Sequence, residues 1–127
     1  VKRSPINRRS KKRITDDATR TALRNEYLAE HPHCEMCRQA PATDIDEIIS
    51  RGVYPGAQLI VILFQALCRT CHRRKTDYPG WAYRHGYSAH SWDFDYIEDI
   101  KRQRVYHDLD CTTDHIERPT DVVGAIV

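Results

Sequence analysis

Apolar positions fall in a few short clusters separated by long polar stretches, and each cluster has its own period. Ala18, Ala22, Leu23 and Tyr27 recur at helical spacing. Thr15, followed by Asp16 and Asp17, has the character of a helix N-cap with acids in the first turn. Pro32 forbids continuation, so the pattern predicts a helix over 15–30. Ile45, Ile48 and Ile49 predict a short strand within 42–50, and Arg51-Gly-Val-Tyr-Pro-Gly56 is turn chemistry. The run Leu59-Ile-Val-Ile-Leu-Phe64 is six residues long and rich in β-branched side chains, which favours a buried strand over a helix. Cys68 to Lys75 can turn into a helix. Further on, Pro79-Gly-Trp-Ala-Tyr83, Gly86 and Trp92 suggest short helical and turn pieces, with Trp81, Tyr83, Tyr87 and Trp92 read as core fillers rather than as a base-stacking platform. Phe94, Ile97, Ile100 and Tyr106 space another amphipathic helix over 94–107, and 120–127 form a weakly apolar tail.

The chain has 127 residues, one domain's worth, with 40% hydrophobic and 30% charged side chains. That balance supports a modest core and argues against wholesale disorder. The longest apolar run is far short of the about 20 residues a membrane-spanning helix needs, so no membrane partner is expected. No apolar stretch follows the basic start, so no secretory signal is expected, and the expected location is cytoplasmic. The net charge of +2 hides a gradient. Residues 1–24 hold nine basic side chains against two acidic ones, which is +7; residues 25–92 hold seven of each; residues 93–127 hold four basic against nine acidic, which is −5. A cationic head suits a polyanionic partner, most simply nucleic acid. The expected division is a basic flexible arm over 1–14, a central domain over 15–92, and an acidic C-terminal helix and tail over 93–127.

Four of the five cysteines form two C-x-x-C pairs, Cys34/Cys37 and Cys68/Cys71. A C-x-x-C on a tight turn presents two thiolates to one tetrahedral ion, and two such knuckles complete a closed structural zinc site. The spacer between the pairs is longer than in the commonest zinc patterns, and an inserted hairpin accounts for the difference. Cys111 is left over; with His115 it makes a C-x3-H without a second pair, and it reads as a free thiol. Asp46, Glu47 and His72 lie a short way along the chain from the knuckles. Their oxygen and nitrogen donors suit a second, harder ion with positions left open for water and phosphate. The alternative for the same residues is a solvent-facing strand and a helix-capping histidine.

Cys-x-x-Cys, then Ile45-Asp-Glu-Ile-Ile-Ser-Arg-Gly52, then Ala66-Leu-Cys-Arg-Thr-Cys-His-Arg-Arg-Lys-Thr76 resembles the HNH endonuclease family, and more narrowly the small HNH proteins of bacteriophages. The leader Arg3-Ser-Pro-Ile-Asn-Arg-Arg-Ser10 and the stretch from Pro79 to Trp92 resemble that phage subgroup too. The resemblance covers roughly residues 3–92. It implies an α+β fold with a small zinc-stabilised ββα-metal, treble-clef-like core and flanking helices. It implies a metal-dependent DNA endonuclease, with Asp46 and His72 holding a catalytic Mg2+, Mn2+ or other divalent ion. Glu47 stands where the family's general-base histidine stands, either activating water or joining the ion, with His85 and His90 as other candidate bases. Leu63 falls near the family's asparagine. Cys34, Cys37, Cys68 and Cys71 hold Zn2+. DNA would be met mainly through its phosphates, by Arg8, Arg9, Lys11, Lys12 and Arg13 from the arm and by Arg51, Arg69, Arg73, Arg74 and Lys75 around the site. Phage packaging or recombination partners, in an infected host cell, follow from the resemblance. The rival expectation is a zinc-containing nucleic-acid- or protein-binding module whose HNH site is degenerate.

Overall fold

The computed structural model describes residues 10–104 together with Leu109, Cys111 and Pro119. The expected contacts of Arg8 and Arg9, the end of the 94–107 helix, His115 and the 120–127 tail lie outside the described residues. The architecture is mixed α+β: a long N-terminal helix, a two-stranded antiparallel sheet, and short helices packed around it.

Helix α1 spans Lys11–Glu30. It begins at Lys11 rather than 15 because Ser10, not Thr15, is the cap: Ser10 Oγ accepts from the Arg13 amide at 3.1 Å. Thr15 sits inside the helix, its hydroxyl donating back to the Lys11 carbonyl at 3.0 Å. The helix stops ahead of Pro32, where His31 leaves helical geometry. Tyr27 is the residue of α1 that is fully buried; its ring stands edge-on to Phe64, and its hydroxyl donates to the Phe64 carbonyl and to Glu35.

Strands β1 (Asp44–Glu47) and β2 (Phe64–Leu67) pair with Asp44 opposite Leu67 and Glu47 opposite Phe64. The pleat sends alternate side chains to opposite faces. Ile45, Phe64 and Ala66 therefore pack on Tyr27, while Leu67 joins the cysteines on the other face. The expected strand over 59–64 is instead two 3-10 turns, Ala57–Leu59 and Val61–Leu63, with β2 starting only at Phe64. The physical reason is that no strand partner stands beside it among the described residues: β1 offers four residues, so 57–63 satisfies its amides locally, as in Leu59 N–H to Gly56 and Leu63 N–H to Ile60.

Helix α2 (Arg69–Asp77) follows β2 directly, and Pro79 opens α3 (Pro79–Arg84). A 3-10 turn over Ser91–Tyr96 leads into α4 (Ile97–Arg102). Trp81 and Tyr87 fill the core as expected, but Tyr83 and Trp92 are exposed. Lys101 ties α4 to the start of β2 by donating to the Ile62 and Phe64 carbonyls. Among the described residues no helix is long and apolar enough to cross a membrane.

Candidate metal centres

The first centre is built by two turns of the same design. Cys34 and Cys37 lie on a loop closed by Cys34 N–H to Ala40 and Arg38 N–H to Cys34, with Arg38 in the left-handed region at φ 60°. The amides of Met36 and Cys37 point at Cys34 Sγ. Cys68 caps α2, its sulfur accepting from the Cys71 amide at 3.4 Å. The four sulfurs lie within 4.8 Å of one another, and all four cysteines are buried. Tetrahedral zinc with bonds of about 2.3 Å sets sulfurs roughly 3.8 Å apart, so the cluster can hold such an ion.

The thiols perturb one another strongly. Hydrogen bonds from Cys68 and Cys71 hold the Cys34 thiol far below its ordinary range. The Cys34 thiolate in turn pushes Cys68 up to about 12 and Cys71 higher still, while burial raises Cys37. One thiolate shares the protons of its neighbours, and a divalent ion would take the place of those protons. Arg74, expected among the phosphate clamps, is 3% exposed and directs its guanidinium at Cys71 Sγ (3.2 Å) and Cys111 Sγ (3.6 Å). It faces the sulfur cluster, where four thiolates around one divalent ion would leave net negative charge for it to balance. Cys111, read as an isolated thiol, stands 3.4 Å from Cys71 Sγ.

A second group of donors lies on the same face of the sheet as Leu67 and the cysteines. His72 follows Cys71 in the first turns of α2, so the helix that carries two sulfurs also sets the imidazole. His72 Nδ1 meets Asp44 Oδ2 at 2.9 Å, and Nε2 faces Asp46 Oδ1 at 3.4 Å. Asp44 and Asp46 reach the same imidazole because they are two apart in β1. Gln65, fully buried and opposite Asp46, donates to Asp46 Oδ2 at 2.7 Å and to the Tyr87 carbonyl at 2.8 Å. Its own carbonyl accepts from Arg104, which also reaches the Gly86 carbonyl. Lys75 pairs with Asp46 and donates to the Glu47 carbonyl, so it too is turned inward rather than toward solvent. Arg69 pairs with Asp44 at 3.2 Å while staying largely exposed.

Burial pushes the Asp46 carboxyl up, but hydrogen bonds from His72, Lys75 and Gln65 and the Lys75 charge outweigh it, holding the group below 3.8. His72 moves the other way: the Asp46 hydrogen bond, opposed by burial and helped by Asp44, raises it above 6.5. A carboxylate oxygen and an imidazole nitrogen facing each other are two ligands for a hard or borderline divalent ion, with the remaining positions open.

Glu47 is half-buried at the end of β1, and the pleat gives it the face of Ile45 and Phe64, opposite to that of Asp46 and His72. Leu63 is buried; its carbonyl accepts from the Ile48 amide at 2.8 Å and so closes the loop between the strands. Lys11, Lys12, Arg13, Arg51 and Arg73 are exposed. A cleft of about 280 Å³ brings Lys12, Arg13, Arg20 and Arg51 together with Asp16 and Asp17, between α1 and the loop after β1. Sequence reading missed Asp44, Gln65 and Arg104; the period-2 relation between Asp44 and Asp46 was the available signal for the first. No family model matches the chain, and neither a curated protein nor a solved structure matches it.

Proposed function

We propose that this chain is a metal-dependent DNA endonuclease of the HNH type, with a ββα-metal core braced by structural zinc. The observation that carries this reading is Asp46 Oδ1 facing His72 Nε2 at 3.4 Å while Asp44 holds the other ring nitrogen. A carboxylate on the far nitrogen of a ligating histidine fixes the tautomer and ring orientation, and Asp44 supplies that here. Mg2+ or Mn2+ bound by Asp46 and His72 would stabilise charge on the phosphate and lower the pKa of bound water.

The chain's own groups do the rest. Asp46 stays ionised, steadied by Gln65. Arg69 and Arg73, on the exposed side of α2, meet flanking phosphates, and Lys11, Lys12, Arg13 and Arg51 add salt-sensitive affinity. The resemblance gives Glu47 the proton of the attacking water, but the strand pleat turns its side chain away from Asp46 and His72. Its place on the opposite face of β1 makes its substitution the discriminating variant. The loop-steadying role of the family's asparagine is met by the Leu63 main chain, which needs no polar side chain.

One observation favours the rival, a non-catalytic zinc module: Lys75 already neutralises Asp46. Supercoiled-plasmid nicking separates the two. On zinc-loaded protein free of other metals, nicking should require added Mg2+ or Mn2+. It should vanish in His72→Ala and Asp46→Asn with zinc retained, and Glu47→Gln should lower it if the carboxylate takes the proton. Absence of nicking with every ion, with DNA still bound, would move the function to the binding module.

A further inference from the structure

Three aromatic rings form a continuous stack on the surface. Tyr83, from α3, lies against His90 with ring centroids 4.4 Å apart and planes 15° apart. His90 lies against Trp92 at 4.3 Å and 12°. His90 is fixed at both ends of a capping box, its ring accepting from the Asp93 amide and its own amide donating to Asp93 Oδ2 at 3.1 Å. The outermost ring, Trp92, is 74% exposed, and Tyr83 is 42% exposed. Burial does not explain this arrangement, since the largest and most apolar ring is the one left in water.

The stack is anchored beside the second metal centre. Gln65 bridges Asp46 and the Tyr87 carbonyl, and the Ala89 amide donates to the Ile48 carbonyl at 2.8 Å. The segment 87–89 therefore runs along the end of β1, and His90 follows it by one residue.

We infer that Tyr83, His90 and Trp92 form a preformed platform on which an unpaired nucleobase stacks, so that the preferred substrate carries single-stranded or splayed bases near the cleavage point. The inference rests on the nuclease reading for the identity of the polymer. A fourth flat ring extends a parallel stack already in place, and the rings lose little freedom on binding because packing and the cap have ordered them. An aliphatic ligand would gain nothing from the ring alignment. Asp93 and Asp95 lie on the same turn and repel phosphates, so the platform meets bases, and its share of the affinity is insensitive to salt.

The test is a fluorescence and anisotropy titration of the full, zinc-loaded chain carrying His72→Ala, which reads binding without cleavage. Probes are a dT oligomer, the same length with central abasic sites, and a duplex of equal charge. The dT oligomer should quench Trp92 and bind about 5- to 100-fold more tightly than the abasic strand, at low and moderate salt alike. Trp92→Ala should abolish the quench and erase that difference, and Trp92→Phe should restore most of the difference. Because Trp92 is exposed, Trp92→Ala is expected to keep the wild-type melting temperature. Equal binding of dT and abasic strands, or an unchanged preference in Trp92→Ala, overturns the platform even if plasmid nicking stands. Quenching by a tyrosine-containing cationic peptide and not by the oligomer overturns it in favour of a protein partner. If the platform results appear while no ion supports nicking, the platform holds and the nuclease reading fails.

Discussion

Arg74 offers the sharpest test of how the sulfur cluster is stabilised. It is buried, and its guanidinium lies on Cys71 and Cys111 sulfurs. Replacing it by Met keeps the aliphatic stem and volume but removes the cation facing the thiolates. Breaking a buried charge pair costs about 3 kcal/mol at the low end. Loss of a group that supports metal ligands costs about 10- to 100-fold in affinity. The two figures agree, since a hundredfold change is about 2.7 kcal/mol. Arg74→Met should therefore surrender zinc to a chromophoric chelator about 100-fold more readily, with a matching fall in melting temperature. Arg73→Met, one residue along α2 and exposed, is the control and should change stability by no more than about 0.5 kcal/mol. Competition by Arg74→Met within twofold of wild type, with an unchanged melt, would refute the charge-balancing role.

Removing zinc altogether should unfold the domain, because Trp81, Tyr87 and Leu67 share one buried cluster with the four cysteines and structural zinc contributes on the order of 10 kcal/mol. Chelation at neutral pH should abolish the near-ultraviolet circular dichroism of those aromatics, and zinc should restore it. Without the second ion, the His72–Asp46 pair gives an acid-side and a base-side limb to stability. The His72 contribution is full below 6.5 and is lost as pH rises through its raised pKa. The Asp46 contribution is full above 3.8 and is lost as pH falls through its lowered pKa. Urea unfolding of His72→Ala across pH 5 to 9 should lack the base-side limb; an identical profile would argue against the pairing. Gly86 stands at φ 82°, where a Cβ would come within 3.2 Å of the Ile100 carbonyl and 3.1 Å of Arg104 Cγ. Gly86→Ala should cost about 1–3 kcal/mol, read by denaturant unfolding.

Local chemistry was legible in the sequence wherever it acts over a few residues. The two C-x-x-C pairs needed only their spacing to mark one four-sulfur site, because each turn presents its own two sulfurs. The stop of α1 ahead of Pro32 is likewise a local steric effect, and Ile45 marked β1 through its apolar neighbours. Tertiary structure decided what depends on a partner. The run from 59 to 63 has strand composition but, among the described residues, no strand beside it, and it closed into 3-10 turns. Ser10 and Thr15 are both good caps, and only the position of the first helical turn chose between them. Arg73, Arg74 and Lys75 are alike as letters, yet one faces solvent, one the sulfurs and one Asp46, because helical rotation turns consecutive residues in different directions. The meeting of Asp44, Asp46, Gln65 and His72 required the hairpin register and the docking of α2 together, since contacts across 19 to 28 residues of chain leave no local periodicity to read.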